Sequence, residues 1–419
     1  MKKIYTSIDI GTYSIKIIVG EYINDKLHVL ASTCVKSQGL KKGLIVDANY
    51  VIEAIKNAVK EINESLGIPI KKVIVNVPDY NAIYKKVTGT VDITNEDSII
   101  TTNDINRAIK DSIYNKIDEG YELVTVIPIE YTIDEKEGIS KPVGKNGQKL
   151  EIKGIMISTP KKNIYSVLGV VEAAGLEVVD ITISGLSDYY EVRNDKIDKL
   201  NGAVIDLGHE TTNVSIFEEG INVNNSTLQI GGINVEKDIS YVFGVNVFDA
   251  RTLKEKFASS HKRFCQLNET YEVKNSIGEL VKLNQLEVSE VTMSRMEEIL
   301  SLAKKQIRAL TDKDIDYIIL TGGLTEIKSF KNIAYEVFGK DVVIYNSTTL
   351  GARDNKYVTA LGMIKYFAFK MDSREREYTM FDIEEETKLV TPNNKLKKDN
   401  AILNKLFGGF IVGKEDKNE

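Results

Sequence analysis

Asp9 and Asp206 occupy the same local setting in distant parts of a 419-residue chain. Each lies in an apolar run that ends on glycine, Ile8-Asp9-Ile10-Gly11 and Ile205-Asp206-Leu207-Gly208. Each run then enters hydroxyl-bearing chain, Thr12-Tyr13-Ser14 in the first copy and His209-Glu210-Thr211-Thr212-Asn213 in the second. Glycine lets a backbone come close to a phosphate, and successive N–H groups in a tight turn form an anion-binding concavity. Two carboxylates facing each other across such turns suit a hydrated Mg²⁺. An acid beside glycine also caps ordinary turns; it is the duplication that favours phosphate and metal chemistry. The residue types therefore predict a nucleotide clamped between two similar halves. Asp9, Gly11, Thr12 and Ser14 form one phosphate turn, and Asp206, Gly208, Thr211 and Thr212 form the other.

Other candidates are weaker alone. Thr321-Gly322-Gly323 follows an apolar strand, where paired glycines let the chain pass close to a flat ligand, although any strand-to-helix turn uses glycine. Lys254 falls on an expected helix, Phe248–Phe257. It reaches a ligand only if that helix borders the cleft; an exposed lysine is the default. His209 has no evident carboxylate partner and reads as structural or exposed rather than as a base. Neither a GxxxxGK[ST] loop nor a GxGxxG fingerprint occurs, which disfavours the common helix-capped nucleotide folds.

The elements that must position these residues also recur. Ile4–Ile10 and Ile15–Val19 read as strands joined by the first turn, and Ala203–Leu207 and Val214–Phe217 repeat the arrangement. Helical spacing over Tyr50–Leu66 precedes an apolar strand at Val73–Val77. Helical spacing over Met296–Leu310 precedes a strand at Tyr317–Leu320 and then a helix at Ile327–Phe338. Strand–turn–strand, helix, strand thus occurs twice, the mark of a duplicated α/β unit. A segment after Pro78 does not fit the repeat. It reads as strand (Lys85–Ile93), helix (Asn103–Ile117), two strands (Glu122–Ile129 and Leu150–Ser158) and helix (Asn163–Ala174), a small α+β module. The second half has its own insertion from Asn234 to about Lys305, read as mostly helical with a polar middle at Cys265–Gln285. Lys370–Lys398 is charged and weakly periodic and reads as a flexible linker.

Bulk properties set the class. The length calls for more than one domain. A net charge of −6 gives no reason to expect nucleic-acid binding. Two cysteines, Cys34 and Cys265, and three histidines argue against a disulfide framework or a structural zinc site, with the cytosol as default. No secretory signal is read at Lys2-Lys3, and no apolar run reaches the roughly 18 residues of a spanning helix. The tail differs. Ile402, Leu403, Leu406, Phe407, Phe410 and Ile411 fall on one side of a helix over Asp399–Val412, with Lys405 opposite and Lys395, Lys397 and Lys398 just before it. An apolar stripe beside lysines suits an anionic membrane surface, and Gly408-Gly409 makes the helix marginal in water, at about 1 kcal/mol each.

With these features assembled, the chain resembles the actin/Hsp70/sugar-kinase superfamily, and within it the FtsA family of bacterial cell-division proteins. The superfamily likeness rests on the two Asp-x-Gly turns and Thr321-Gly322-Gly323. The narrower likeness rests on Gly89-Thr90-Val91, Val126–Asp134, Pro142-Val143-Gly144, Gly147–Glu151, Ala174-Gly175-Leu176, Gly231-Gly232 with Asp238-Ile239, Ala250 with Lys254, and the amphipathic tail. The resemblance implies an α/β, duplicated actin-like (ribonuclease H-like) two-lobed fold with an inserted 1C module. Subdomain 1A would comprise 1–80, 177–200 and 356–372, 1C 81–176, 2A 201–233 and 311–355, and 2B 234–310. A linker at 373–394 and a membrane-targeting tail at 395–419 would follow. It further implies ATP and Mg²⁺ between the lobes, with Asp9 and Asp206 holding the metal through water, Lys254 at the ribose and Gly322 and Gly323 beside the adenosine. ATPase activity would be weak or absent. Implied partners are further copies of the chain in a filament, the C-terminal peptide of FtsZ on 2B, and an anionic membrane, at the cytoplasmic face of the division site where later division proteins are recruited. Alternatives are a PilM-like pilus-assembly adaptor, which lacks a reason for the tail, and a phosphotransferase, which lacks an evident catalytic acid. The chain departs from the family pattern at His209-Glu210, where small residues are usual, at Arg251 in place of an acid, and at Leu324 in place of a glycine.

Overall fold

The computed structural model describes residues 3–24 and 26–390. The first lobe begins with antiparallel strands β1 (Ile4–Ile10), β2 (Ser14–Ile23) and β3 (Lys26–Lys36). β1 and most of β2 are buried on both faces, which is why they read as nearly unbroken apolar runs. A short hairpin, β4 (Leu40–Lys41) and β5 (Leu44–Ile45), leads to α1 (Ala48–Leu66). The Asp47 side chain accepts from the N–H groups of Asn49 and Tyr50 to start α1, and Gly67 stops it in the left-handed region. α1 buries Val51, Ala54, Ile55, Ala58 and Ile62. β6 (Lys72–Val77) then pairs with β1 in parallel.

The chain next builds a separate sheet. β7 (Ile83–Asp92), α2 (Thr102–Ile113), β8 (Tyr121–Ile133), β9 (Lys136–Ile139) and β10 (Lys149–Pro160) give the strand order β7-β10-β8-β9. α2 starts at a capping box between Thr101 and Asp104. It closes a small core of Ile100, Ile105, Ala108, Tyr131, Leu150 and Ile152. The chain returns to the first lobe through α3 (Lys161–Ala173), β11 (Glu177–Ile183), parallel to β6, and α4 (Ser184–Val192).

The second lobe repeats the plan. β12 (Gly202–Leu207), β13 (Thr212–Glu218) and β14 (Ile221–Leu228) form an antiparallel meander. α5 (Gly232–Phe243), α6 (Val247–Thr252), a hairpin of β15 (Thr270–Lys274) and β16 (Leu280–Asn284), and α7 (Gln285–Leu310) follow. β17 (Tyr317–Thr321) pairs with β12 in parallel, α8 (Phe330–Phe338) crosses over, and β18 (Val343–Ile344) pairs with β17 in parallel. α9 (Val358–Ser373) packs back on the first lobe, and α10 (Ile383–Val390) ends the described chain. The sheet orders β11-β6-β1-β2-β3 and β18-β17-β12-β13-β14 match strand for strand in order and direction. The duplicated two-lobed α/β fold expected from the turns is the fold observed.

Four local expectations are corrected. The insertion is mostly helical as read, but β15 and β16 pair inside its polar middle, and α7 starts at Gln285 rather than Met296. Alternation of Tyr271 and Val273 with Val281 and Leu283 buries one side of the hairpin, but polar residues between them hide the pattern. The helix expected over Phe248–Phe257 is α6 followed by a π-helical turn at Leu253–Phe257. The helix expected from Ile327 begins at Phe330, after a 3-10 turn at Gly323–Glu326. The flexible linker placed at 373–394 does not hold as far as 390, because Met380 and Phe381 are buried in the first core and α10 follows them. The Thr6 N–H donates to the Met380 thioether and the Met380 N–H to the Ile4 carbonyl. The tail residues singled out for membrane contact, Ile402 to Ile411, lie outside the described residues.

Candidate functional site

The two Asp-x-Gly turns are built alike. In the first, the Gly11 N–H donates to the Ser14 carbonyl at 3.1 Å; in the second, the Gly208 N–H donates to the Thr211 carbonyl at 3.0 Å. The last paired residues are Ile10 with Ile15 and Leu207 with Thr212, so each loop is four residues long. The turns meet at a cavity of about 450 Å³ between the lobes, in the range of small-molecule sites. Asp9, Gly11, Thr12, Ser14, Asp206, Gly208, Thr211, Lys254, Gly322 and Gly323 all line it. Thr212 does not: its buried hydroxyl donates to the Ile230 carbonyl, so it serves β13 and not a ligand. Strand alternation explains this, since Thr212 opens β13 and points opposite to its lining neighbours.

Gly322 is required by close approach. Its φ is +90°, and a Cβ there would lie 2.3 Å from Asp206 Oδ1 and 2.6 Å from the Leu207 carbonyl. The end of β17 can pass beside the second acid only without a side chain, which preserves the open cradle around Asp206.

Charge in the cleft is concentrated on a few buried groups. Lys16, unmarked by the sequence reading, is 8% exposed and its Nζ lies 2.8 Å from Asp9 Oδ2. Burial alone would lower its pKa, but the charge and hydrogen bond of Asp9 override this and raise it, with Cys34 and Asp206 adding. The ammonium therefore stays protonated beside Asp9 and within electrostatic reach of Asp206. Burial lifts the Asp206 carboxyl to about 6, the charge of Asp9 adds to this, and Lys16 and a hydrogen bond from Asn213 oppose it. A lone lysine inside the apolar run Ile15–Val19 was the signal available in the sequence.

Lys254 is 4% exposed, not a surface lysine. The π-helical turn, marked by the Ala258 N–H reaching the Leu253 carbonyl, turns it inward to pair with buried Glu236. His209 is held uncharged: burial, then Arg251, Lys254 and Lys237, press its pKa down to about 3, too low for a base at neutral pH. Glu210 does not point at the cavity. Its carboxylate accepts from the Lys42 N–H of the β4–β5 hairpin.

Asp79 was also missed. It follows the apolar strand β6, is buried, and lines the same cavity. Its oxygens accept from the Ser184 N–H at 2.8 Å and the Gly185 N–H at 3.1 Å, at the start of α4, and from Asn225 Nδ2 of β14 in the other lobe at 3.2 Å. Burial lifts its pKa to about 7 against these hydrogen bonds, with the Asp206 charge adding. A raised carboxyl favours the folded state fully below its unfolded pKa of about 4, and that contribution is lost as pH rises through about 7. Wild type should therefore lose on the order of 4 kcal/mol more stability between pH 4 and pH 8 than Asp79→Asn. Denaturant unfolding of both proteins across that range measures the difference, and parallel profiles would refute it.

Among the described residues no group of three or more His, Cys, Asp or Glu side chains converges as a metal cage. The residues fit a hydrated divalent ion bound alongside phosphate rather than a metal held by protein alone.

Comparisons with known proteins agree with this architecture. A family model described as cell division protein FtsA matches residues 203–362, and one described as the SHS2 domain inserted in FtsA matches residues 83–158. The cell division protein FtsA of Streptococcus pneumoniae is 30% identical over 366 residues, covering 86% of this chain and 79% of that protein. The Bacillus subtilis protein of the same name is 29% identical over 367 residues, covering 87% and 83%. Among solved structures, a PilM–PilN type IV pilus biogenesis complex matches with a TM-score of 0.58 at 13% identity, covering 86% of this chain and 97% of that one. MreB5 of Spiroplasma citri bound to ADP matches with a TM-score of 0.52 at 12% identity, covering 89% and 98%. The fold is actin-like, it carries the SHS2 insertion, and the chain belongs to the FtsA family of cell-division proteins.

Proposed function

We propose that this cell-division protein binds ATP with Mg²⁺ between its lobes, assembles with copies of itself, and tethers FtsZ filaments to the cytoplasmic face of the membrane at the division site. The observation that carries the reading is the pair of matched Asp-x-Gly turns lining one cavity, with Lys16 paired to Asp9 and within electrostatic reach of Asp206. In this reading Gly11, Thr12, Ser14, Gly208 and Thr211 would cradle phosphates, assisted by Lys16. Asp9 and Asp206 would orient the water shell of the metal, Lys254 would meet the ribose, and Gly322 and Gly323 would flank the adenosine. The metal supplies charge neutralisation for the phosphates when bound. The first lobe then corresponds to subdomain 1A, the module expected over residues 81–176, whose separate sheet runs from Ile83 to Pro160, to 1C, and the second lobe to 2A with 2B carried on α5 to α7.

Support for a peptide partner comes from the surface of the second lobe. Tyr241 is 90% exposed and Phe248 73%, and Val242 and Val247 beside them are exposed too. Large apolar side chains so placed suit an apolar partner segment, the FtsZ C-terminal peptide in this reading. No helix among the described residues is long and apolar enough to cross a membrane. The membrane step therefore rests on the apolar stripe Ile402, Leu403, Leu406, Phe407, Phe410 and Ile411 with its neighbouring lysines. One short tail binds weakly, and a filament of many tails binds firmly through avidity.

Deleting Lys395–Glu419 should abolish sedimentation with anionic vesicles while leaving ATP affinity unchanged. A truncated protein that still pellets with vesicles would overturn the tether, and a full-length protein with no affinity for ATP would overturn the nucleotide site.

A further inference from the structure

We propose that Tyr13 and the β4–β5 hairpin form a latch that holds the lobes together over the phosphate side of the cleft before a nucleotide enters. Both parts belong to the first lobe and both grip the second turn of the other lobe. The Tyr13 ring meets two second-lobe side chains. The His209 ring centroid is 5.1 Å away, and the Arg251 guanidinium carbon lies 3.1 Å from the Tyr13 ring centroid. Arg251 is held in place by Glu255 at 2.8 Å and by buried Glu236 at 3.8 Å. The hairpin makes the second grip. The Lys42 N–H donates to the Glu210 carboxylate, and Lys42 Nζ donates to Gln229 Oε1 at 2.7 Å. The two grips are one mechanical unit, because the Ser37 N–H, at the root of the hairpin, donates to the Tyr13 carbonyl at 2.8 Å.

Tyr13, Lys42, His209 and Arg251 also line the cavity, so the latch stands where a ligand must pass. The uncharged state of His209 lets its ring pack on Tyr13 without adding a second cation beside Arg251. A latch present both with and without ligand adds the same barrier to entry and exit. Releasing it speeds exchange, and because a ligand must then close lobes that stand open, binding also weakens by that closing cost. The kinetic consequence rests on the nucleotide reading above, whereas the latch itself does not.

The test uses the full chain carrying Tyr13→Ala and Glu210→Ala together, with each single variant as control. Spin labels are placed at Lys56→Cys on α1 and Tyr241→Cys on α5, with Cys34→Ser and Cys265→Ser removing the native thiols. In ligand-free protein the interlobe distance distribution should move to longer values in the double variant, and unchanged distances would overturn the latch. Stopped-flow mixing with a fluorescent ATP analogue should give an association rate that rises about tenfold, the scale of losing a cation–π contact and a charged hydrogen bond, and a dissociation rate that rises at least as much. A rise in dissociation alone, with weaker binding, would mean that these side chains merely touch the nucleotide and would also overturn the latch. If the wild-type protein binds no analogue, the nucleotide reading fails and the label distances alone decide.

Discussion

Replacing Lys16 with alanine is expected to lower ATP affinity by a hundredfold or more and to destabilise the fold by about 3–5 kcal/mol. Its ammonium, 2.8 Å from Asp9 and almost fully buried, is also the positive charge that offsets Asp206, and both acids line the cleft. Removing one member of a buried pair leaves the other charge without compensation, which costs far more than the intact pair contributes. Asp206, already lifted to about 6 by burial and by Asp9, would rise further in the variant and would be partly neutral at physiological pH. Calorimetric titration with ATP reads the first effect and denaturant unfolding the second. Full ATP affinity alongside lost stability would show that Lys16 is a structural counter-ion and that phosphates lie elsewhere.

Gly362→Ala should be nearly as damaging without touching the cleft. Gly362 lies in α9 where that helix crosses α4, and a Cβ there would sit 1.8 Å from the Ser187 carbonyl oxygen and 2.5 Å from its carbon. No side chain can rotate away to relieve this, because the obstacle is backbone. Overpacking of this kind costs about 3 kcal/mol, equivalent to a fall in Tm of roughly 6–12 °C for a lobe of this size. Gly169→Ala in α3 is the control. Its Cβ would meet nothing within 4 Å, so the change should be neutral or stabilising by up to about 1 kcal/mol. Thermal unfolding of both variants checks the pair, and equal melting temperatures would refute the packing argument.

The parts of this molecule legible in the sequence are those whose signal is local. β1 and β12 are apolar on both faces and end in a glycine turn, so strand, acid and turn could be read together, and the duplication followed. The inserted module was legible because its helix and strands each have a clean period, although β8 runs on to Ile133, beyond its expected end. What escaped depends on partners distant in sequence. Nothing near Asp79 reveals that the start of α4 and Asn225 of β14 would converge on it. Lys16 gave a hint only as a charge within an apolar strand. Thr212 failed because adjacent residues of a strand face opposite ways, so one of two neighbouring threonines had to turn from the cleft. Met380 and Phe381 are two apolar residues in a charged stretch, too few to register as periodicity yet enough to dock.

That docking fixes a mooring point. The chain is pinned to the start of β1 through Met380 and is followed as far as Val390, with Lys71 paired to Glu385 alongside. The nine residues from 391 to 399 can stretch no more than about 30 Å. A tail inserted in a bilayer from Asp399 onward would therefore keep this edge of the first lobe within one short leash of the lipid. Every copy in a filament would present that same edge, so the polymer would ride close to the membrane with a single flank turned toward it.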